Sequence, residues 1–223
     1  MKESVKPLRL LLVGATGEVG RVVLAQALTD PRVAEVVALT RRPLAAAGRL
    51  NNLVVDFDNL PETAPWWAVD AVVCTLGTTQ RAAGSNEKFA AVDRDLPLRV
   101  ARLARRAGAS RFALNSSLGA DAGSGNFYLR IKGEAEEAIG ALGYPAYTIV
   151  RPSLIDVDRG ESRPGERVAL MAARALRPLI SARWQAVTPE AIARALLDGA
   201  LAAQAVSRVV ESADLHRRVQ VRD

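Results

Sequence analysis

Two residue types on which metal centres and many active sites depend are nearly missing from this 223-residue chain, which has one cysteine, Cys74, and one histidine, His216. A single thiol excludes an internal disulfide, and one thiol with one imidazole leaves too little to build a zinc site, so no metal is expected. Aromatic residues are scarce, at 4%. Long apolar runs are missing too: charges interrupt each stretch before the ~20 residues a membrane span needs, and the opening segment lacks the apolar core and cleavage site of a secretion signal. A cytoplasmic protein with no membrane attachment is the expectation left by elimination. Lysine occurs only as Lys2, Lys6, Lys88 and Lys132, so the net charge of +6 is carried almost wholly by arginine. That charge is scattered. Its tightest group, Arg102, Arg105 and Arg106, fits a solvated helix face, so nucleic acid is not expected as a partner, whereas an anionic small molecule suits a basic pocket.

What is present is an ordinary globular composition, 49% hydrophobic and 24% charged, in a length suited to one domain spanning 1–223. Strand, glycine turn and helix recur along it. An apolar strand at Leu8–Val13 precedes a helix over 19–28, and further strands fall at 33–39, 53–55 and 71–76. A long helix over 86–107 ends at Gly108, followed by a strand at Arg111–Asn115, a helix over 129–142 and a strand over 146–150. This alternation predicts the α/β class: a doubly wound parallel sheet, the Rossmann fold, with right-handed crossovers. After Arg151 the rhythm breaks into a loop over 158–166, a helix over 167–176, a helix over 188–202 and a strand over 206–211. Residues 152–223 are assigned on this pattern to a small C-terminal lobe that covers substrate.

The turn between the first strand and first helix reads Gly14-Ala15-Thr16-Gly17-Glu18-Val19-Gly20. Glycines there permit a tight turn, bring backbone amides close to a pyrophosphate and let the helix pack against the strand. The second strand ends in Thr40-Arg41-Arg42 rather than in the carboxylate that commonly accepts hydrogen bonds from an NAD ribose. Two guanidiniums suit a 2′-phosphate, so NADP(H) is the expected cofactor. Asp56 and Phe57, after the third strand, are candidates to flank the adenine, and Leu76-Gly77-Thr78-Thr79 lies at the carboxyl edge of the fourth strand, where ligands lodge in open α/β sheets.

Tyr128 and Lys132 are four residues apart on one helix and so share a face. A tyrosine ordinarily ionises near ~10, and a nearby ammonium favours its phenolate, which makes the pair suited to acid–base work. Ser116-Ser117 closes the fifth strand, where a hydroxyl can hold a substrate carbonyl.

Taken together, the glycine loop, the serines and the Tyr128/Lys132 pair resemble the short-chain dehydrogenase/reductase superfamily, in its atypical branch. Cys74-Thr75-Leu76-Gly77-Thr78-Thr79, Val92-Asp93-Arg94-Asp95, Asn115-Ser116-Ser117-Leu118-Gly119-Ala120-Asp121, the stretch 128–134 and Glu161-Ser162-Arg163-Pro164-Gly165-Glu166 are similar, more narrowly, to the Tat-interacting protein oxidoreductases. The resemblance implies an NADP(H) site that includes Asn115, Ser116, Tyr128 and Lys132, with Ser117, Tyr128 and Lys132 in the catalytic positions and Ser116 as the alternative hydroxyl. It also implies that Arg151, Pro152 and Ser153 lie beside the nicotinamide. One departure stands out: Asp93 occupies the stretch where many relatives have an asparagine that anchors a water near the lysine. Three functions follow as readings. The first is an NADPH-dependent oxidoreductase acting on a small carbonyl substrate. The second is a non-catalytic NADPH sensor that binds a protein partner. The third is a nucleotide-sugar epimerase, for which the chain after Arg151 is short.

Overall fold

In this computed structural model, residues 6–156, 181 and 183–220 are described. The first strand, β1 (Leu8–Val13), sets the pattern for the rest, because Leu10, Leu11, Leu12 and Val13 are all fully buried. Burial on both faces is what a parallel strand inside a two-sided sheet requires. The other strands are β2 (Val33–Thr40), β3 (Leu50–Val54), β4 (Ala71–Cys74), β5 (Arg111–Asn115), β6 (Ala146–Arg151) and β7 (Arg208–Glu211). They form one parallel sheet in the order β3-β2-β1-β4-β5-β6-β7. The order reverses between β1 and β4, and that reversal opens a crevice at the carboxyl ends of the strands.

The helices are α1 (Glu18–Thr29), α2 (Gln80–Ala83), α3 (Asn86–Ala90), α4 (Leu96–Arg106), α5 (Phe127–Gly140), α6 (Pro189–Ala200) and α7 (Ser212–Gln220). Alternate strand residues supply two separate cores. Leu10, Leu12, Val36, Ala38 and Val73 pack toward α1 and α6, with Val23 and Leu196 fully buried among them. Leu11, Val13, Val37, Leu39, Val72 and Cys74 pack toward α4 and α5 on the other face, beside Trp67 and Val100. The doubly wound expectation is met by this two-sided packing.

Several expected bounds shift for physical reasons. The helix expected over 86–107 is divided: α3 and α4 are joined by a π-helical turn at Ala91–Asp95, in which the Leu96 N–H bonds the Ala91 carbonyl. Pro97 has no N–H to give the carbonyl of Asp93, four residues before it, and the backbone widens at that point. The third strand begins at Leu50 rather than at 53, because Asn51 and Asn52, poor strand formers in isolation, find amide partners there.

The tail is continuous with the main core. Helix α6 starts as expected, with Thr188 accepting from Ala191 N and Pro189 in its first turn, but Ile192, Ala193, Ala195 and Leu196 are buried in the same core as Leu10. Strand β7 pairs with β6 as the seventh strand of the sheet. The expected loop over 158–166, the helix over 167–176 and the Glu161-to-Glu166 motif lie outside the described residues.

Candidate functional site

At the carboxyl edge, the glycine loop follows β1. Gly14 has φ +89, a left-handed value that suits glycine, and a Cβ placed on it would come within 2.6 Å of Thr75 Oγ1. A Cβ on Gly20 would overlap the Gly14 carbonyl oxygen. These two positions are therefore closed to side chains by the approach of α1 to β1 and β4. No side chain caps the start of α1, whose first residues follow Gly17, so its leading N–H groups are left for a ligand or water. Val19 is buried in the core, while the Glu18 carboxylate pairs with Arg21 at 2.6 Å on the surface.

A cleft of about 560 Å³ opens beside this loop, lined among others by Gly14, Thr16, Arg41, Asp56, Phe57, Leu76, Gly77 and Thr78. Eight of the residues expected at a dinucleotide are thus brought to one wall-to-wall space. Lys88 of α3 and the alanines of α2 line it as well; the alanines gave no signal in the sequence because α2 is a single turn with no periodic apolar pattern. Thr79 instead caps α2, accepting from Ala82 N at 3.1 Å. Asp56 lies at a surface turn, where the Asn59 amide and the Asp58 N–H hold its carboxyl below the usual range.

Arg41 and Arg42 are exposed, and neither guanidinium has an ion-pair partner among the described residues. Their backbone, by contrast, is fixed. The Thr40 hydroxyl donates to the Arg42 carbonyl at 2.7 Å, and Asn52 Oδ1 accepts from Leu44 N at 2.7 Å.

At the far end of the crevice, α5 begins with Asn126 accepting from Leu129 N at 3.2 Å. This cap sets Tyr128 in the first turn and Lys132 one turn later. The Lys132 side chain is 8% exposed, and its Nζ stands 2.6 Å from Asp93 Oδ1, a carboxylate with no exposed side-chain surface. The contact is an ion pair without the angle of a directed hydrogen bond, since Oδ1 has no hydrogen-bond partner. Asp93 Oδ2 accepts from Thr78 N at 2.8 Å, so one buried carboxylate ties the lysine to the loop after β4. Gly77 lies against both: a Cβ there would sit 3.4 Å from Asp93 Oδ1 and 3.6 Å from Lys132 Nζ. The π-helical turn is what aims Asp93 inward. Ser117 and Tyr128 are half-buried, and neither side chain makes a hydrogen bond among the described residues. The Tyr128 ring packs on Phe89 with centroids 5.5 Å apart. Asn115 Oδ1 is buried without a partner. Cys74, at the end of β4, is fully buried, and burial pushes its thiol up to about 12, which keeps it from serving as a nucleophile.

Other expected contacts are engaged within the protein. Ser116 donates to Glu136, a carboxylate only 8% exposed, and Arg151 holds the same carboxylate with Nε at 3.1 Å while its Nη1 reaches Glu211 at 3.1 Å. The side chains of Ser116 and Arg151 thus brace β5, β6 and α5 instead of facing the cleft. Glu136 was missed by the sequence reading, since a carboxylate on a helix is usually solvated. Pro152 gives its carbonyl to Leu118 N, and the Ser153 hydroxyl donates to the Gln185 carbonyl.

With this geometry in hand, comparison with known proteins is informative. A family model described as NAD(P)H-binding matches residues 14–175. The chain is 41% identical over 165 residues to Protein HTATIP2 of Rattus norvegicus, covering 72% of this chain and 68% of the relative. It is 38% identical over 173 residues to Protein fmp52, mitochondrial, of Emericella nidulans, covering 74% of each. Among solved structures, MoeE5 in complex with UDP-glucose and NAD shares the fold at 17% identity, with a TM-score of 0.65 over 91% of this chain and 76% of that one. The expectation of a cytoplasmic location is corrected by fungal relatives that are named as mitochondrial proteins. Among the described residues no helix is long and apolar enough to cross a membrane.

Proposed function

The chain belongs to the NAD(P)H-binding family, as an atypical short-chain dehydrogenase/reductase, and from that premise we propose that it is an NADPH-dependent reductase of a small carbonyl compound. The observation that supports the reading is a buried lysine held against Gly77, a residue of the cleft wall, on the same helix as Tyr128. Lys132 stands against Gly77, which lines the cleft, and Tyr128 lies one helical turn before it, with no hydrogen bond from its hydroxyl among the described residues.

The residues present fit the cofactor. Gly14 and Gly20 form a cradle that any Cβ would fill, the uncapped start of α1 offers amides to a pyrophosphate, and Arg41 on the cleft wall, with Arg42 next to it in the chain, offers guanidiniums that have no ion-pair partner among the described residues to a 2′-phosphate. When bound, NADPH supplies the hydride. Ser117 donates its hydroxyl hydrogen to the carbonyl oxygen and orients it. Tyr128 gives that oxygen the proton, which solvent restores. Lys132, held in place by Asp93, positions the cofactor ribose and sets the charge beside the phenol. Phe89, which packs on both Tyr128 and Phe127, covers one side of the tyrosine ring.

The test is direct. Purified protein is incubated with NADPH and a panel of aldehydes, ketones and quinones while the absorbance of the reduced nicotinamide is followed. Consumption that disappears in Tyr128→Phe, with NADPH affinity kept, supports the assignment; equal turnover by the variant removes it. A second reading, an NADPH sensor that changes its hold on a protein partner, is favoured by one observation: Asp93 compensates the lysine charge on which the tyrosine depends. Tight NADPH binding with no consumption across the panel would select it.

A further inference from the structure

Two of the three side-chain hydrogen bonds of Asn52 lead to the turn that carries the two arginines. Asn52 lies on β3, opposite Ala38 in the sheet register. Its Nδ2 donates to the Ala38 carbonyl at 3.0 Å and to Thr40 Oγ1 at 2.8 Å, and its Oδ1 accepts from Leu44 N at 2.7 Å. Thr40, 4% exposed, passes the link on, since its hydroxyl donates to the Arg42 carbonyl at 2.7 Å. Both amide hydrogens of Asn52 and both roles of the Thr40 hydroxyl are used. The turn so held is otherwise exposed at Arg41, Arg42 and Pro43, and β3 is an edge strand, so little else fixes it. A half-buried amide in a strand is unfavourable unless its hydrogen bonds are made, and these reach from β3 across the end of β2 to the far side of the turn.

We propose that Asn52, acting through Thr40, is a positioning residue for cofactor selection: it holds the backbone of the Arg41-Arg42 turn so that the guanidiniums meet a 2′-phosphate at the end of β2. The inference rests on the NADPH reading above. A preset turn loses less freedom on binding the phosphate, and that gain applies only to the ligand that carries it. A ligand with a free 2′-hydroxyl makes no use of the arginines and is indifferent to how the turn is held. The neighbouring amide gives an internal control. Asn51 Nδ2 donates to Glu35 Oε1 at 2.9 Å, a bond from β3 to the start of β2 that does not reach the turn.

The experiment is calorimetry of the full chain with NADPH and with NADH, followed by adenosine 2′,5′-bisphosphate against 5′-AMP to isolate the phosphate subsite. Asn52→Leu, Thr40→Val and Asn51→Ala are compared with the unaltered protein. Asn52→Leu and Thr40→Val are expected to lower the NADPH-to-NADH affinity ratio about tenfold, the scale of one charge-assisted hydrogen bond, with NADH affinity changed less than about twofold. Asn51→Ala keeps the ratio. A purely structural asparagine predicts the opposite: both cofactors weaken together, the ratio stands, and the proposal is overturned. It is overturned as well if Asn51→Ala reduces the ratio as far as Asn52→Leu does. Should Asn52→Leu not fold, Thr40→Val alone decides, since it leaves the strand's own ladder intact. If the unaltered protein already binds the two cofactors equally, the NADPH reading itself fails; if it prefers NADPH and the variants keep that preference, this inference fails alone.

Discussion

Replacing either member of the Asp93–Lys132 pair should damage the fold, and replacing both should cost clearly less than the two single losses added together. At 2.6 Å, and with an effective dielectric near 20, their Coulomb attraction is about 6 kcal/mol, most of it offset by the withdrawal of both charges from water. Lys132→Met leaves a fully buried carboxylate whose remaining partner is the Thr78 N–H, and breaking a buried pair in this way costs about 3–5 kcal/mol. Asp93→Asn keeps an acceptor for Thr78 but strands the ammonium, with a loss of the same order. In Asp93→Asn/Lys132→Met the amide meets a thioether, no charge is left unpaired, and a coupling of about 2–3 kcal/mol should return. For a chain of this size each kcal/mol moves Tm by about 2–4 °C, so a single variant melts roughly 6–20 °C lower. Urea denaturation followed by circular dichroism supplies the cycle, with unchanged slopes confirming that the two-state comparison holds. Additive losses in the double variant, or single losses below about 1 kcal/mol, would show that the lysine is not held as a compensated charge.

Gly20→Ala should lose about 1–3 kcal/mol and weaken cofactor binding, because its Cβ would overlap the Gly14 carbonyl; unchanged melting and affinity would show that α1 can retreat from β1. Arg151→Ala should cost about 3–5 kcal/mol by leaving Glu136 buried and unpaired, with Glu136→Gln restoring much of the loss in urea melts. The Cys74 thiol should resist an aromatic disulfide reagent at pH 8 in the native chain and react at once in urea. The native thiol keeps its proton while the unfolded one loses it, so its contribution to stability is present below about 9 and is lost as pH rises toward about 12. Melts of the Cys74→Ala variant against the parent between those values measure that slope, and parallel curves would refute it.

What the sequence alone determined was whatever depends on local backbone chemistry and on the sidedness of strands. The glycine-rich turn after β1 placed the ligand loop, because at Gly14 and Gly20 only a residue without Cβ tolerates the turn and the helix approach. The unbroken apolar run of β1 announced burial on two faces, and therefore a parallel sheet with helices on both. Arg41 and Arg42 were legible as the end of β2 because an extended strand has a countable length. The tertiary structure decided what depends on partners distant in sequence. Asp93 could be read only as a departure from an expected asparagine, although Pro97 held a clue to the widened turn that aims it at Lys132. Asn52 looked like a strand breaker until Thr40 and Leu44 arrived beside it. Glu136 carried no signal in the sequence, and Arg151, expected beside the nicotinamide, is instead bound to Glu136 and Glu211 where β5, β6 and α5 meet. Helix α6 carried an apolar stripe that suited a covering lobe as well as the main sheet, because periodicity tells that a face is buried but not against what. A hydrogen bond or an ion pair between residues fifteen to sixty positions apart leaves no periodic trace, so the charges that set this site's chemistry became visible only when the chain was folded.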